Sequence, residues 1–163
     1  MTTPRFTISR RFAAPRARVW DAWTRPEQLA LWFGPKGTSA TILAFDLRPG
    51  GIWHGRLDAP DGSAMHSKFV FREVDPPSKL VWIHGFADAE GNRTRAPFAP
   101  DFPLELLTTL HFMDEGEATR IDLNWEPIDA TSEEEAFFAG MMGSMEGGWS
   151  GSFEQLDALL AEG

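Results

Sequence analysis

Residues 38–125 break into short β-rich runs, each closed by a turn signal, with no apolar segment of helical period and length between them. A stretch of this kind has few ways to bury its apolar side chains, and short strands joined by successive reversals make one antiparallel meander. The runs are 38–48, 52–59, 64–74, 80–86, 104–113 and 118–125. Pro49-Gly50-Gly51, Pro60-Asp61-Gly62, Pro76-Pro77 and Glu115-Gly116 supply the backbone angles the reversals need. Only the connection 87–103 is long.

The flanks have other periods. Residues 5–12 alternate, with Phe6, Ile8, Arg10 and Phe12 against Thr7, Ser9 and Arg11, as a half-buried first strand does. Pro15 opens a helix whose apolar face is Val19, Trp20 and Trp23. Thr24 and Glu27 form a capping-box pattern around Pro26 for a second short helix carrying Leu29 and Trp32, which Phe33-Gly34-Pro35 ends. Ser132 and Glu135 have the same pattern at the start of a long last helix, where Phe138, Met141, Met142, Met145, Trp149, Phe153, Leu156 and Leu160 form one apolar stripe. This order predicts an α+β fold in which a curved antiparallel sheet wraps the long C-terminal helix, with two short helices after the first strand. Sheet and helix would enclose a space, with Trp32 and Phe33 near its mouth.

Composition narrows the function. A 163-residue chain with 42% apolar residues reads as a single domain spanning 1–163 with a core of its own. A formal charge of -9 and no basic stripe argue against nucleic acid and anionic membrane surfaces as partners. The absence of cysteine excludes disulfides, thiolate catalysis and thiolate-ligated metals, and there is no tyrosine. Without a signal-like leader or a run approaching the ~18 apolar residues of a membrane span, the expected compartment is the cytoplasm.

Val19-Trp20, Thr24, Pro26-Glu27, Leu29 and Trp32-Phe33-Gly34-Pro35 are followed in order by residues 46–51, Glu73-Val74-Asp75-Pro76-Pro77, Leu80-Val81-Trp82, Gly148-Trp149, Leu156-Asp157 and Leu159-Leu160. This ordered set resembles the activator homologues of the 90-kDa heat-shock-protein ATPase, within the START-like (SRPBCC, birch-pollen-allergen-like) superfamily. The resemblance implies a helix-grip fold with a hydrophobic cavity. In the superfamily that cavity serves functions from lipid carriage to polyketide cyclisation, hormone sensing and co-chaperone work, so fold transfers better than function. The chain departs from the pattern in its long, proline-rich 87–103 connection, in His84, where an aromatic is more usual, and in Gly140, Gly143, Gly147, Gly148 and Gly151 of the last helix.

Each glycine costs a helix interior ~0.8–1 kcal/mol relative to alanine. Together they either make room for a ligand, let the first half of the helix bend as a gate, permit close packing on the sheet, or mark a helix that starts later than Ser132. His84 shares alternation with Leu80, Trp82 and Phe86 and is a weak catalytic candidate for polarising a carbonyl or moving a proton. Glu73 is another, as a carboxyl whose charged form an apolar pocket would disfavour, although its place before a turn suits a rim carboxylate better. A two-residue turn at Asp61-Gly62 would set His54 opposite Phe69 and turn His66 to the other face, so no metal site is expected. A turn at Glu115-Gly116 would pair Leu110 with Ile121, Phe112 with Thr119 and Leu106 with Trp125, leaving His111 and Arg120 outside.

The residues expected to line the pocket are Trp32, Phe33, Phe45, Trp53, Phe69, Phe71, Trp82, His84, Phe86, Phe112, Trp125, Met141, Met145 and Trp149, with the inward face of the middle strands left open between two sets. The first functional expectation is binding or carriage of a small hydrophobic or aromatic molecule, without a cofactor. The alternatives are a cyclase- or hydrolase-like enzyme on aromatic or polyketide-like substrates, and a chaperone-associated interaction module. A homodimer through the outer strands is compatible with the sequence.

Overall fold

The turn residues of the middle segment close four hairpins, the long connection 88–105 joins the remaining antiparallel pair, and the first strand returns to pair with the last. In the computed structural model, which describes residues 3–96 and 99–162, the strands are β1 (Phe6–Phe12), β2 (Ser39–Phe45), β3 (Ile52–Asp58), β4 (Ala64–Asp75), β5 (Lys79–Ala87), β6 (Leu106–Glu115) and β7 (Ala118–Pro127). They form one curved antiparallel sheet in the order β1-β7-β6-β5-β4-β3-β2. The helices are α1 (Arg16–Thr24), α2 (Pro26–Trp32), α3 (Ser132–Gly140) and α4 (Met142–Ala161). The expected α+β helix-grip arrangement is therefore present, with α4 against the concave face.

The core fills one end of this grip. Phe12 meets Phe153 edge-on at 5.4 Å, and Trp23 of α1 lies within 6.5 Å of Trp32, Trp82, Phe112, Trp149 and Phe153. Trp32 donates its indole N–H to the Ala22 carbonyl at 2.9 Å, which fixes α2 on α1. Gln155 Nε2 donates to the carbonyls of Trp32 and Gly34, tying the end of α2 to α4.

Three local expectations need correction. Thr24 does not cap α2: its hydroxyl donates to the Trp20 carbonyl one turn back, and α2 starts at Pro26 after an extended Arg25. The last capping box is Thr131 with Glu134, one residue before the expected Ser132 and Glu135. The last helix is also divided, because Met141 (φ -96°, ψ 1°) leaves helical geometry between α3 and α4.

Two hairpin registers differ from expectation, with opposite consequences. At β6–β7 the turn lies one residue later, so Leu110 pairs with Leu123, Phe112 with Ile121 and Leu106 with Pro127. Each partner moves by two residues, facing is conserved, and His111 is exposed as expected. At β3–β4 the loop has three residues, Pro60-Asp61-Gly62: Gly62 N–H bonds the Ala59 carbonyl, Gly62 adopts φ +91°, and Ala59 N–H bonds the Ser63 carbonyl. A type I turn followed by a left-handed glycine is a favoured three-residue hairpin connection. Here each partner moves by one, so Trp53 pairs with Phe69 and His54 with Lys68. Trp53, Phe69, Phe71 and Trp82 consequently share the inward face.

Replacing Phe153, fully buried at the centre of the α4–sheet contact, with alanine is expected to cost about 3–5 kcal/mol in urea unfolding; a loss under about 1 kcal/mol would mean that α4 does not hold the core.

Candidate functional site

At the other end of the grip the aromatic packing is incomplete, and a cavity of ≈340 Å³ lies between the sheet and the first half of α4. Its floor is the inner face of β3–β7: Leu57, Met65, Ser67, Phe69, Trp82, His84, Phe86, Leu106 and Trp125. Phe33-Gly34-Pro35 after α2 and Phe102 of the long connection close its sides, and Met141, Ser144, Met145, Gly148, Trp149 and Ser152 roof it. None of the lining residues is Asp, Glu, Lys or Arg.

Nine of the fourteen residues expected around a pocket are in this wall: Phe33, Phe69, Trp82, His84, Phe86, Trp125, Met141, Met145 and Trp149. Trp32, Phe45, Trp53, Phe71 and Phe112 lie outside it, because neighbouring rings fill the space before them. Trp32 is closed off by Trp23 at 4.6 Å, Phe112 by Trp20 at 5.1 Å, and Phe45 packs on Phe71 at 5.6 Å and on Trp53 at 5.8 Å. Among wall residues that sequence reasoning missed, Leu57 and Met65 follow from the true β3–β4 register. Ser152 had a visible signal, a polar residue three positions after Trp149 and four before Leu156 on the apolar stripe. Phe102 had none, since its position depends on the course of the 87–103 connection.

Among the described residues, His84 is the only titratable group of the wall. Strand register sets it in one row, Trp53↔Phe69↔His84, across β3, β4 and β5. The rings stack in that order, at 3.7 Å and 13° between Trp53 and Phe69 and at 5.2 Å and 16° between Phe69 and His84. Thr108, fully buried on β6, fixes the imidazole within its plane through Oγ1 to Nδ1 at 3.1 Å. The residual exposure of the half-buried ring belongs to the cavity wall. Burial, with a smaller contribution from the Arg93 guanidinium, pulls its pKa down to about 3. Arg93 itself lies outside the cavity, held by the Lys68 carbonyl and by Glu105 at 3.1 Å. Gly85 permits this approach, because a Cβ there would stand 2.2 Å from the Leu104 carbonyl oxygen and 3.0 Å from Arg93 Cδ.

Indole nitrogens add little polarity. Nε1 of Trp82, Trp125 and Trp149 lacks a hydrogen-bond partner but is fully covered. With these N–H groups covered, the three tryptophans present hydrocarbon to the cavity.

The other candidates fall elsewhere. Glu73 is exposed on the far side of a β-bulge between Phe71 and Glu73, paired with Lys79 at 3.2 Å, and has no place in the cavity. His54 and His66, expected on opposite faces, share the outer face because of the one-residue register change, with Nε2 of His54 2.9 Å from Nδ1 of His66. Burial, and then the His66 charge, lower the pKa of His54. Among the described residues no group of three or more His, Cys, Asp or Glu is placed to hold a metal. The glycines divide: a Cβ on Gly140, Gly143, Gly147 or Gly148 would meet nothing within 4 Å, so close packing does not explain these four, whereas one on Gly151 would stand 3.5 Å from the Lys36 backbone nitrogen.

The sequence profile described as "Activator of Hsp90 ATPase homolog 1-like protein" matches residues 13–161. The chain belongs to this family. Among solved structures, a crystal structure of protein Ms6760 from Mycobacterium smegmatis is 32% identical, with a TM-score of 0.80 over 97% of this chain and 91% of that one. A solution structure of a protein from Arthrobacter aurescens is 30% identical, with a TM-score of 0.81 over 98% and 87%. An AHSA1 protein from Silicibacter pomeroyi, 19% identical with a TM-score of 0.75 over 97% and 98%, shares the fold. No curated protein matches the chain. Among the described residues this member's cavity has one titratable group, the imidazole of His84 with its lowered pKa, and no helix is long and apolar enough to cross a membrane.

The depressed pKa of His84 has a consequence for stability. In the unfolded chain the imidazole takes a proton near 6.5, whereas in the folded chain it does so only near 3. Between those values the unfolded state binds more protons, so the contribution is complete above pH 6.5 and declines with acidification by up to about 1.4 kcal/mol per pH unit. Urea midpoints measured from pH 7 to pH 4 should fall more steeply for the natural protein than for His84→Phe; parallel curves would show that His84 is not sheltered.

Proposed function

We propose that this protein binds and carries a small hydrophobic molecule in the cavity beneath α4. The observation that supports this most is a preformed space of ≈340 Å³ walled almost wholly by hydrocarbon. Natural cores are packed at crystal-like density, and a void this large forfeits several kcal/mol of contacts and burial. An apolar occupant restores them. Taking about 30 Å³ for each water in the liquid, the space suits roughly eleven to fifteen non-hydrogen atoms. Met141 and Met145 in the roof adapt to occupants of different outline.

The enzyme reading has less support. With Glu73 outside the cavity, His84 would act alone, and an imidazole with a pKa of about 3 is a feeble base at neutral pH. The chaperone-module reading has no feature of the cavity behind it.

The test is native mass spectrometry of protein purified from its own host, with Gly148→Leu as comparison. Gly148 borders the cavity with nothing within 4 Å of a Cβ, so leucine enters the space and gains about 1 kcal/mol of helix propensity. The natural protein should release one apolar compound on denaturation, and the variant should be equally folded and empty. Equal occupancy of both proteins, or an empty natural protein that also fails to take up an apolar dye, would remove this reading.

A further inference from the structure

The cavity's polar atoms are few, uncharged and mostly without protein partners, and their arrangement restricts the occupant further than apolarity does. Nδ1 of His84 is engaged by Thr108, and Nε2 has no hydrogen-bond partner among the described residues. Ser152 is 4% exposed, forms part of the roof, and its hydroxyl likewise has no partner among the described residues. Neither atom is among the fully covered unsatisfied groups, so what remains open of each is open to the cavity. A buried polar group left unpaired costs about 1–3 kcal/mol, and an occupant that pairs with it recovers that cost.

We infer that the occupant is an uncharged aromatic molecule bearing a hydroxyl group, whose ring lies among Phe33, Trp125 and Trp149 and whose oxygen hydrogen-bonds Nε2 of His84. This rests on the carrier reading above and names the ligand class for the same site. A hydroxyl fits either tautomer: it accepts when Nε2 carries the proton, and donates when Nδ1 carries it. The stack of Trp53, Phe69 and His84 and the Thr108 bond hold the ring without help from the ligand, so little orientational freedom is lost on binding.

Charge discriminates against the commonest alternative, an aromatic or aliphatic carboxylate. Among the described residues no cationic side chain lines the cavity, and Arg93 on the outer side is already occupied by Glu105 and the Lys68 carbonyl. A carboxylate would have to enter hydrocarbon unpaired or bring a proton to a sheltered imidazole, and both are costly.

The experiment uses three probes of one ring system, naphthalene, 2-naphthol and 2-naphthoate, titrated by calorimetry at neutral pH into the full chain and into His84→Phe and His84→Gln. In the natural protein 2-naphthol should bind about fivefold or more tighter than naphthalene, and 2-naphthoate at least about tenfold weaker than naphthalene. His84→Phe should erase the naphthol advantage while keeping naphthalene affinity within about threefold, and His84→Gln, which retains a neutral hydrogen-bonding group, should restore part of it. If naphthoate binds as well as naphthalene, or the naphthol advantage survives in His84→Phe, the ligand class is wrong and the carrier reading stands. If none of the three binds the natural protein, the carrier reading falls and this inference with it.

Discussion

The cavity and its chemistry depend on the register of the β3–β4 hairpin. A three-residue loop, closed by Gly62 in a left-handed conformation, sets Trp53 opposite Phe69 and brings the aromatic side chains of β3, β4 and β5 to one face. A slip of one residue would turn Trp53 to the outer face and His54 inward. With the register fixed, the ring row continues from Trp53 through Phe69 to His84, and it gives a histidine in an apolar wall a defined plane.

Two halves of one grip then take different roles. Toward α1, tryptophans 20, 23 and 32 insert between sheet and helix and complete a close-packed core. Toward the break at Met141, side chains thin out and the roof of α4 contributes Ser144, Gly148 and Ser152 where larger groups would close the space. The stability supplied by the packed half is what allows the other half to keep a void. Of the glycines in this helix, Gly148 borders the cavity, and a side chain there would take up space at the gain of helix propensity.

Much of this was legible in the sequence because turn residues punctuate it. Pro49-Gly50-Gly51, Asp61-Gly62 and Gly116 lie at reversals, and the apolar stripe from Phe138 to Leu160 required a sheet to cover it. The register was less legible. Pro60-Asp61-Gly62 suits both a two-residue and a three-residue loop, and the difference between them decides whether His54 meets His66 and whether Trp53 faces inward. The pocket boundary was illegible for another reason. Phe71, Phe112 and Trp125 alternate alike on their strands, and it is tertiary packing, Phe45 of β2 on Phe71 and Trp20 of α1 on Phe112, that determines which are covered by other rings and which borders empty space.

His84 stands as a neutral group in a sheltered chamber to which no described residue brings a charge. Nitrogen-15 NMR of the His84 ring across a pH titration tests this most directly, because the two ring nitrogens of a neutral imidazole have distinct shifts that converge on protonation. With its pKa near 3, His84 should keep the two separate shifts of one tautomer from neutral pH down to the onset of acid unfolding. A titration with its midpoint near 6.5, the ordinary value for histidine, would show that the ring is open to water and would contradict the account.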